Sequence, residues 1–413
     1  MKSLTLKCFA ACILFSCLAC NGPDKNTSLR NVKNGTYAYD ANFLKQHSKN
    51  VIELHDKEGK AKILLSPEYQ GRVMTTTAMG DTGTSFGWIN YKLISSGKKK
   101  AQFNPVGGEE RFWLGPEGGQ YSIYFKKNDS FNIAHWQVPG VIDTIPYDVS
   151  MSNDSTAVFS TKAVLVNYSG TTLNISIQRA ISLLDRNSIE QKLNVKIPVD
   201  VYCIGYETNN QIKNIGEERW KKEKGLLSIW LLGMMTPTEE TKVIIPFKPV
   251  PGAKSLITTN YFGDVPRERL ELKDSVLYFT CDGKYRSKIG LSPLIAKSLA
   301  ASFDFNRNVL TLILFPVDGS GMYVNSKWEL QKEPYKGDVV NSYNDGPLAD
   351  GTQLGPFYEI ESSSSAKELA IGETQEYRQV TCHLQGNYES LRELAKKLLG
   401  IDLNDLKNKN RPE

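Results

Sequence analysis

"GPFYEIESSSSAKELAIGETQEYRQVTCHLQ", residues 355–385, sets two strand-like runs either side of a small, glycine-containing break. Glu359 and Glu361 are two residues apart, so in an extended strand both carboxylates point to one face. "EYRQVTCHLQ", at the end of the stretch, is β-rich in composition. The same texture runs outward through the chain. "LNISIQ" puts Leu173, Ile175 and Ile177 on one face at period two, and "SIEQKLNVKI" does so for Leu193, Val195 and Ile197. "GRVMTTTA" and "NVLTLILF" are also β-rich, and turn signals such as "NYSGTT", "DRNS" and "NDGP" fall between such runs. Many strands without interleaved helical patterns predict an all-β sandwich over residues 41–386, with many strands per sheet. One helix is expected: in "YESLRELAKKLLGIDL", Leu391, Leu394, Ala395, Leu398 and Leu399 follow a helical stripe. Residues 387–413 thus form a helix and tail that plug the sandwich.

The first twenty of the 413 residues have a different character. Lys2 and Lys7 precede an apolar run, Cys8 to Ala19, that is too short to span a bilayer. The ending "CLAC" resembles a bacterial lipobox with Cys20 as the lipid acceptor; acceptance at Cys17 and cleavage without lipidation stay open. Residues 1–20 are expected to be a lipoprotein signal peptide and 21–40 a flexible tether. The protein is then a monomer anchored by lipid in the bacterial cell envelope, facing the periplasm or the cell surface. Removing Lys2 and Lys7 from the net charge of +5 leaves +3, too mild to favour nucleic acid. Of the seven cysteines, Cys203, Cys281 and Cys382 lie in the body; an odd count favours small buried thiols over a disulfide framework.

Several familiar chemistries have no signature here: no phosphate-binding loop, no dinucleotide fingerprint, no zinc spacing and no GxSxG. What remains are carboxylates set among aromatics. "NPVGGEERFWLGPEGGQYSIYF", residues 104–125, carries Glu109, Glu110, Arg111, Trp113 and Glu117. "GDVVNSYNDGP" carries Asp338, Asn341, Asn344 and Asp345, with Asn344 or Gly346 suited to a turn of positive φ. Aromatic faces beside carboxylates and amides suit a sugar, which stacks through its C–H faces and hydrogen-bonds through its hydroxyls. Arg111 is open to two roles, a ligand contact or neutralisation of Glu109 or Glu117. His135, in "NIAHWQVPG", is open to a catalytic or a structural role. Asp338 and Asp345 could hold calcium, but hydrated turn carboxylates are the commoner case, and neither metal nor cofactor is expected.

The 355–385 stretch also resembles the end of galactose mutarotase-like proteins: a strand with an inward glutamate, a small segment, an L-x-P-G-E turn and a closing strand. Here Ile371 replaces the proline. "GYETNNQIKNIG" resembles the superfamily's T-N-H-x-Y-x-N-L-x-G turn, with Thr208, Asn209, Asn214 and Gly216 in step, and "GGEERFW" resembles its arginine-bearing sugar-contact segment. More closely, "GGEERFWLGPEGGQ", "GLLSIWLLGM", "YVNSKWELQ", "GDVVNSYNDGP" and "LGPFYEIES" resemble a family of bacterial secreted proteins of unassigned function within that superfamily. The resemblance implies a β-supersandwich and an aldose 1-epimerase-like site, with Glu361 as base, Glu359 as the neighbouring option and Arg111 as substrate clamp.

One position departs from that pattern. Asn210 stands where the epimerases carry the histidine that protonates the ring oxygen, and an amide cannot act as that acid. His135, Glu109 or Glu207 would have to replace it. The expectation is therefore a carbohydrate-binding or carbohydrate-processing protein. Catalytic candidates are Glu361, His135 and Glu109; substrate-binding candidates are Arg111, Trp113, Glu117, Asn210, Asn344, Asp345 and Glu359. Two alternatives stand beside epimerase-like chemistry: a silent sugar-binding module, and a glycoside-cleaving enzyme with Glu109 and Glu361 as paired carboxylates.

Overall fold

The computed structural model describes residues 32–407. The signal segment, Cys20 and most of the tether lie outside them. Among the described residues the strands form antiparallel sheets of three, ten and six strands, the all-β supersandwich expected. The ten-stranded sheet is centred on the long strands Thr172–Leu184, Val201–Asn214 and Thr374–Gly386, which pair in register over most of their length. The six-stranded sheet runs in space Ile257–Thr258, Ser287–Leu291, Val340–Asn344, Tyr358–Ser363, Ser228–Met235 and Arg111–Gly115.

Strand periodicity splits the six-stranded sheet into two chemically distinct faces. Phe112, Leu114, Ile229, Leu231 and Ile360 join the main apolar core between the sheets. Tyr358 and Ser362, on that same face, reach Ser302 at 2.8 Å and Gln379 at 2.6 Å in the large sheet. The alternate residues, among them Arg111, Trp230, Lys288, Glu359 and Glu361, face the other way. The large sheet's outer face carries a second core of Leu310, Leu312, Cys382 and Leu384 against the helix Tyr388–Leu399. That helix is the expected plug. Asn387 caps its first turn through Glu389 N and Ser390 N, Gly400 ends it in the left-handed region, and Leu391, Leu394, Ala395 and Leu399 are buried.

Elsewhere the local reading changes. "SIEQKLNVKI" is not a strand: Arg186–Leu193 is a helix, with Asp185 accepting from Ser188 N and Asn194 closing it in the left-handed conformation. The signals read as a turn, "DRNS", are its N-cap. The supposed tether also ends early, because the helix Tyr37–His47 packs into the body; Tyr37 is buried and the Asp40 carboxylate accepts from Ser85 and Tyr91. Asn344 is no turn residue but the end of its strand, where it accepts from Gly283 N at 2.8 Å and donates to Tyr285 O at 2.8 Å. "GYETNNQIKNIG" is continuous strand through Asn214, so Asn210 pairs in register with Arg179 and Tyr377.

Among the described residues no helix is long and apolar enough to cross a membrane. The three body cysteines are free: Cys281 and Cys382 are buried and Cys203 half-buried.

Candidate functional site

The outward face of the six-stranded sheet floors a cavity of about 1240 Å³. Loops from distant parts of the chain wall it in, and the glycines of the 104–125 stretch permit their approach. A Cβ on Gly118 would sit 2.2 Å from Lys327 O, so only glycine lets these two loops touch. Beside that contact Glu117 N donates to Ser326 Oγ at 3.2 Å, and Gln120 and Gln331 exchange hydrogen bonds of 2.9 and 3.0 Å. In the floor, a Cβ on Gly290 would lie 2.1 Å from Asp338 Oδ2, so the bare backbone there makes room for the carboxylate.

Aromatic rings form much of the wall. Trp136 and Trp328 stack at 5.9 Å, Phe103 meets Trp136 edge-on at 5.6 Å, and Trp230, Tyr261, Phe262 and Tyr343 complete the aromatic lining. Trp113 stands one ring behind, 5.6 Å from both Phe103 and Trp230.

The charged floor is one connected set. Arg111 Nη2 donates to Glu359 Oε1 at 2.6 Å, with both side chains nearly fully buried. Its guanidinium lies 4.4 Å from the centre of the Trp113 ring. Glu361 Oε2 accepts from Trp230 Nε1 at 3.0 Å and from Lys288 Nζ at 2.9 Å, and Glu361 is fully buried beneath them. Burial pushes the Glu359 carboxyl well up from the ordinary range; Arg111 opposes that rise, while the neighbouring Glu361 charge and a hydrogen bond with Glu361 add to it. Burial and the adjacent carboxyl thus favour the neutral form of Glu359. Burial works against the Lys288 charge, but Glu361, Glu117 and Glu359 together outweigh it and hold its pKa raised.

Glu117 is half-buried and lines the cavity. Burial, with the Glu361 charge, pushes its pKa up to about 7, against the pull of Lys288 and the indole N–H groups of Trp136 and Trp328. Such a carboxyl exchanges its proton near neutral pH, as a general acid must.

At the other end of the floor Asp338 Oδ2 accepts from Tyr261 at 2.5 Å, and Asn341 donates to the same tyrosine oxygen at 3.2 Å. Asp345 accepts from Tyr343 at 2.9 Å and from Gly355 N at 3.0 Å. Among the described residues no cluster of three or more His, Cys, Asp or Glu side chains could hold a metal ion.

The residues singled out in the sequence separate into two groups. Arg111, Trp113, Glu117, Asp345, Glu359 and Glu361 come together at the cavity or directly under its floor. Arg111 neutralises Glu359, however, and not Glu109 or Glu117. His135, Glu109, Asn210 and Asn344 do not join them. His135 is exposed, its Nδ1 3.0 Å from Asn132 Oδ1 within its own turn. Glu109 is buried with Thr76, at 2.9 Å, and with His383 Nε2, at 2.7 Å. It therefore does not pair with Glu361 across the cavity. Asn210 is buried beside Thr208 in the large sheet, and Asn344 holds the Gly283–Tyr285 loop. Glu207, the other stand-in acid, is ion-paired to Lys192 and Arg378 on the large sheet.

Sequence reasoning missed Lys288, Tyr261 and Arg286. In "YRSKIGL" an arginine and a lysine alternate with strand residues, which also describes any solvated edge; only their placement over Glu361 and Tyr343 distinguishes them.

No curated protein matches the chain. Among solved structures it is similar to the Slr1438 protein of Synechocystis sp. PCC 6803, at 12% identity and a TM-score of 0.49, over 82% of this chain and 96% of that one. It is also similar to a galactose mutarotase-like protein from Lactobacillus casei ATCC 334, at 11% identity and a TM-score of 0.47, over 82% and 100%. A galactose mutarotase related enzyme from Lactobacillus acidophilus gives 10% identity and a TM-score of 0.43, over 82% and 97%. The model of one family matches residues 35–410, nearly the whole described body, and the chain belongs to that family, the Family of unknown function (DUF6786).

Proposed function

We propose that this protein binds a saccharide in the aromatic cavity and transfers protons at its anomeric centre, in the manner of an aldose 1-epimerase. The observation that carries the reading is Glu117. It is a carboxyl with pKa near 7, open to a cavity walled by Trp136, Trp230 and Trp328 and floored by the Glu359–Glu361 pair. In this reading a ring lies against the tryptophans, and Glu117 gives its proton to the ring oxygen. Glu361 takes the anomeric hydroxyl proton, with Lys288 and Trp230 stabilising its charge beforehand. The C–O bond of the ring opens, the aldehyde rotates, and closure on the other face returns both protons. A lipid-anchored place in the cell envelope, through Cys20, fits a protein that meets glycans outside the cytoplasm.

A second reading, binding without chemistry, has its own support: Glu361 is fully enclosed, and Lys288 and Trp230 stand between it and the cavity. Exchange spectroscopy by NMR on a panel of reducing sugars separates the two. Catalysis predicts anomer exchange above the uncatalysed rate, and loss of that excess in Glu117→Gln. Tryptophan quenching by the same sugars without faster exchange leaves binding alone.

A further inference from the structure

Arg286 enters the cavity one residue before the strand Ser287–Leu291. Its guanidinium lies 3.8 Å from the centre of the Phe262 ring, and its Nε donates to Tyr343 Oη at 3.3 Å. These two contacts fix the plane of the side chain. Its terminal nitrogens make no hydrogen bond or ion pair among the described residues. Its partner Tyr343 donates in turn to Asp345, which also accepts from Gly355 N, so that carboxylate is already engaged. Asp338 is held by Tyr261, burial pushes the Glu117 pKa up to about 7, and Glu329, the exposed fourth carboxylate of the lining, makes no ion pair with Arg286. The cavity therefore holds a positioned, planar double donor whose partner does not come from the lining carboxylates.

The geometry points to an anionic saccharide as the ligand, with a carboxylate or sulfate ester on one sugar unit docking on Arg286. This rests on the saccharide reading of the cavity. A guanidinium fork matches the paired oxygens of either group and adds geometric selectivity to charge. Arg286 and Lys288 are two residues apart in extended chain, about 7 Å, so the unit on Arg286 neighbours the unit over Lys288 and Glu361. The volume, about 1240 Å³, also exceeds the 300–1,000 Å³ common for small-molecule sites and accommodates more than one sugar unit.

The test is calorimetric titration of the full-length protein with three tetrasaccharides, at low and high salt. Tetragalacturonate supplies carboxylates, a sulfated galactan tetrasaccharide supplies sulfate esters, and cellotetraose is neutral. One anionic probe should bind about tenfold to a hundredfold more tightly than cellotetraose, with the preference shrinking at high salt. Which anionic probe wins identifies the group. Arg286→Gln should collapse the ratio of anionic to neutral affinity, whereas Arg286→Lys, which keeps the charge and loses the fork, should retain part of it. Cellotetraose binding at least as tightly, or a ratio unmoved by Arg286→Gln, overturns the inference and leaves the saccharide reading standing. Failure of all three to bind overturns both.

Discussion

Arg111 and Glu359 are 248 residues apart in sequence and 2.6 Å apart in space, joined under the floor of the cavity. Removing the cation alone leaves a buried carboxyl with a second carboxyl beside it. Arg111→Met should therefore destabilise the fold by about 3–5 kcal/mol, the usual cost of breaking a buried pair from one side. Arg111→Met combined with Glu359→Gln should recover a large part of that loss. Denaturant unfolding of the two singles and the double measures the coupling, and strictly additive losses would show that the pair contributes nothing as a pair.

Stability should also fall as pH rises across the acid-to-neutral range. Glu117 moves from the ordinary value of 4.5 to about 7 on folding, and Glu359 moves in the same direction. A folded-state pKa raised in a carboxylic acid means the native protein holds the proton more tightly than the unfolded chain. The contribution is then neutral below the unfolded value and increasingly unfavourable as pH climbs from 4.5 to 7. Glu117→Gln should flatten that part of the thermal-midpoint profile. A profile with the parent's slope would place the proton elsewhere.

The sheet architecture was legible because period-two alternation in "LNISIQ" reflects burial on one face, while the runs at 71–78 and 308–315, buried on both faces, showed only as β-rich composition. The floor was legible in part for the same reason: Glu359, Glu361 and Arg111 lie on strands whose register the pattern implies. "SIEQKLNVKI" misled because its apolar residues satisfy both periods over so short a span, and the cap at Asp185 decided for the helix. Glu109 misled differently. It stands two residues before Arg111, where strand alternation would set it on the floor, yet it lies in the bend before that strand and turns into the sandwich toward His383. Period two holds only within a strand, and the sequence does not mark where this one begins.

The terminal helix offers a test of the second core. Leu394 is buried against the outer face of the ten-stranded sheet, and Asn387 supplies the cap. Leu394→Ala should cost about 2–5 kcal/mol through lost contacts and a residual cavity, and Asn387→Ala about 1 kcal/mol. Because this core lies on the far side of the large sheet, saccharide affinity of the folded protein should not change in either variant. A large affinity loss in folded Leu394→Ala protein would mean that the two sides of the sandwich are coupled.

Lys288 is the cation on which three carboxyls depend, since Glu361, Glu117 and Glu359 all act on it. Lys288→Met removes the 2.9 Å bond to Glu361 and leaves that carboxylate with the Trp230 indole alone. It also removes the charge that holds Glu117 down, so the Glu117 pKa should climb above about 7. The pH profile of saccharide binding should move to the alkaline side in Lys288→Met, and the fold should weaken by about 3–5 kcal/mol at neutral pH. Adding Glu361→Gln removes the stranded charge and should restore much of the stability. It should also draw the profile back toward acid, because Glu361 is the largest neighbouring charge raising Glu117. A Lys288→Met profile that stays in place would show that the titrating group in the cavity is not Glu117.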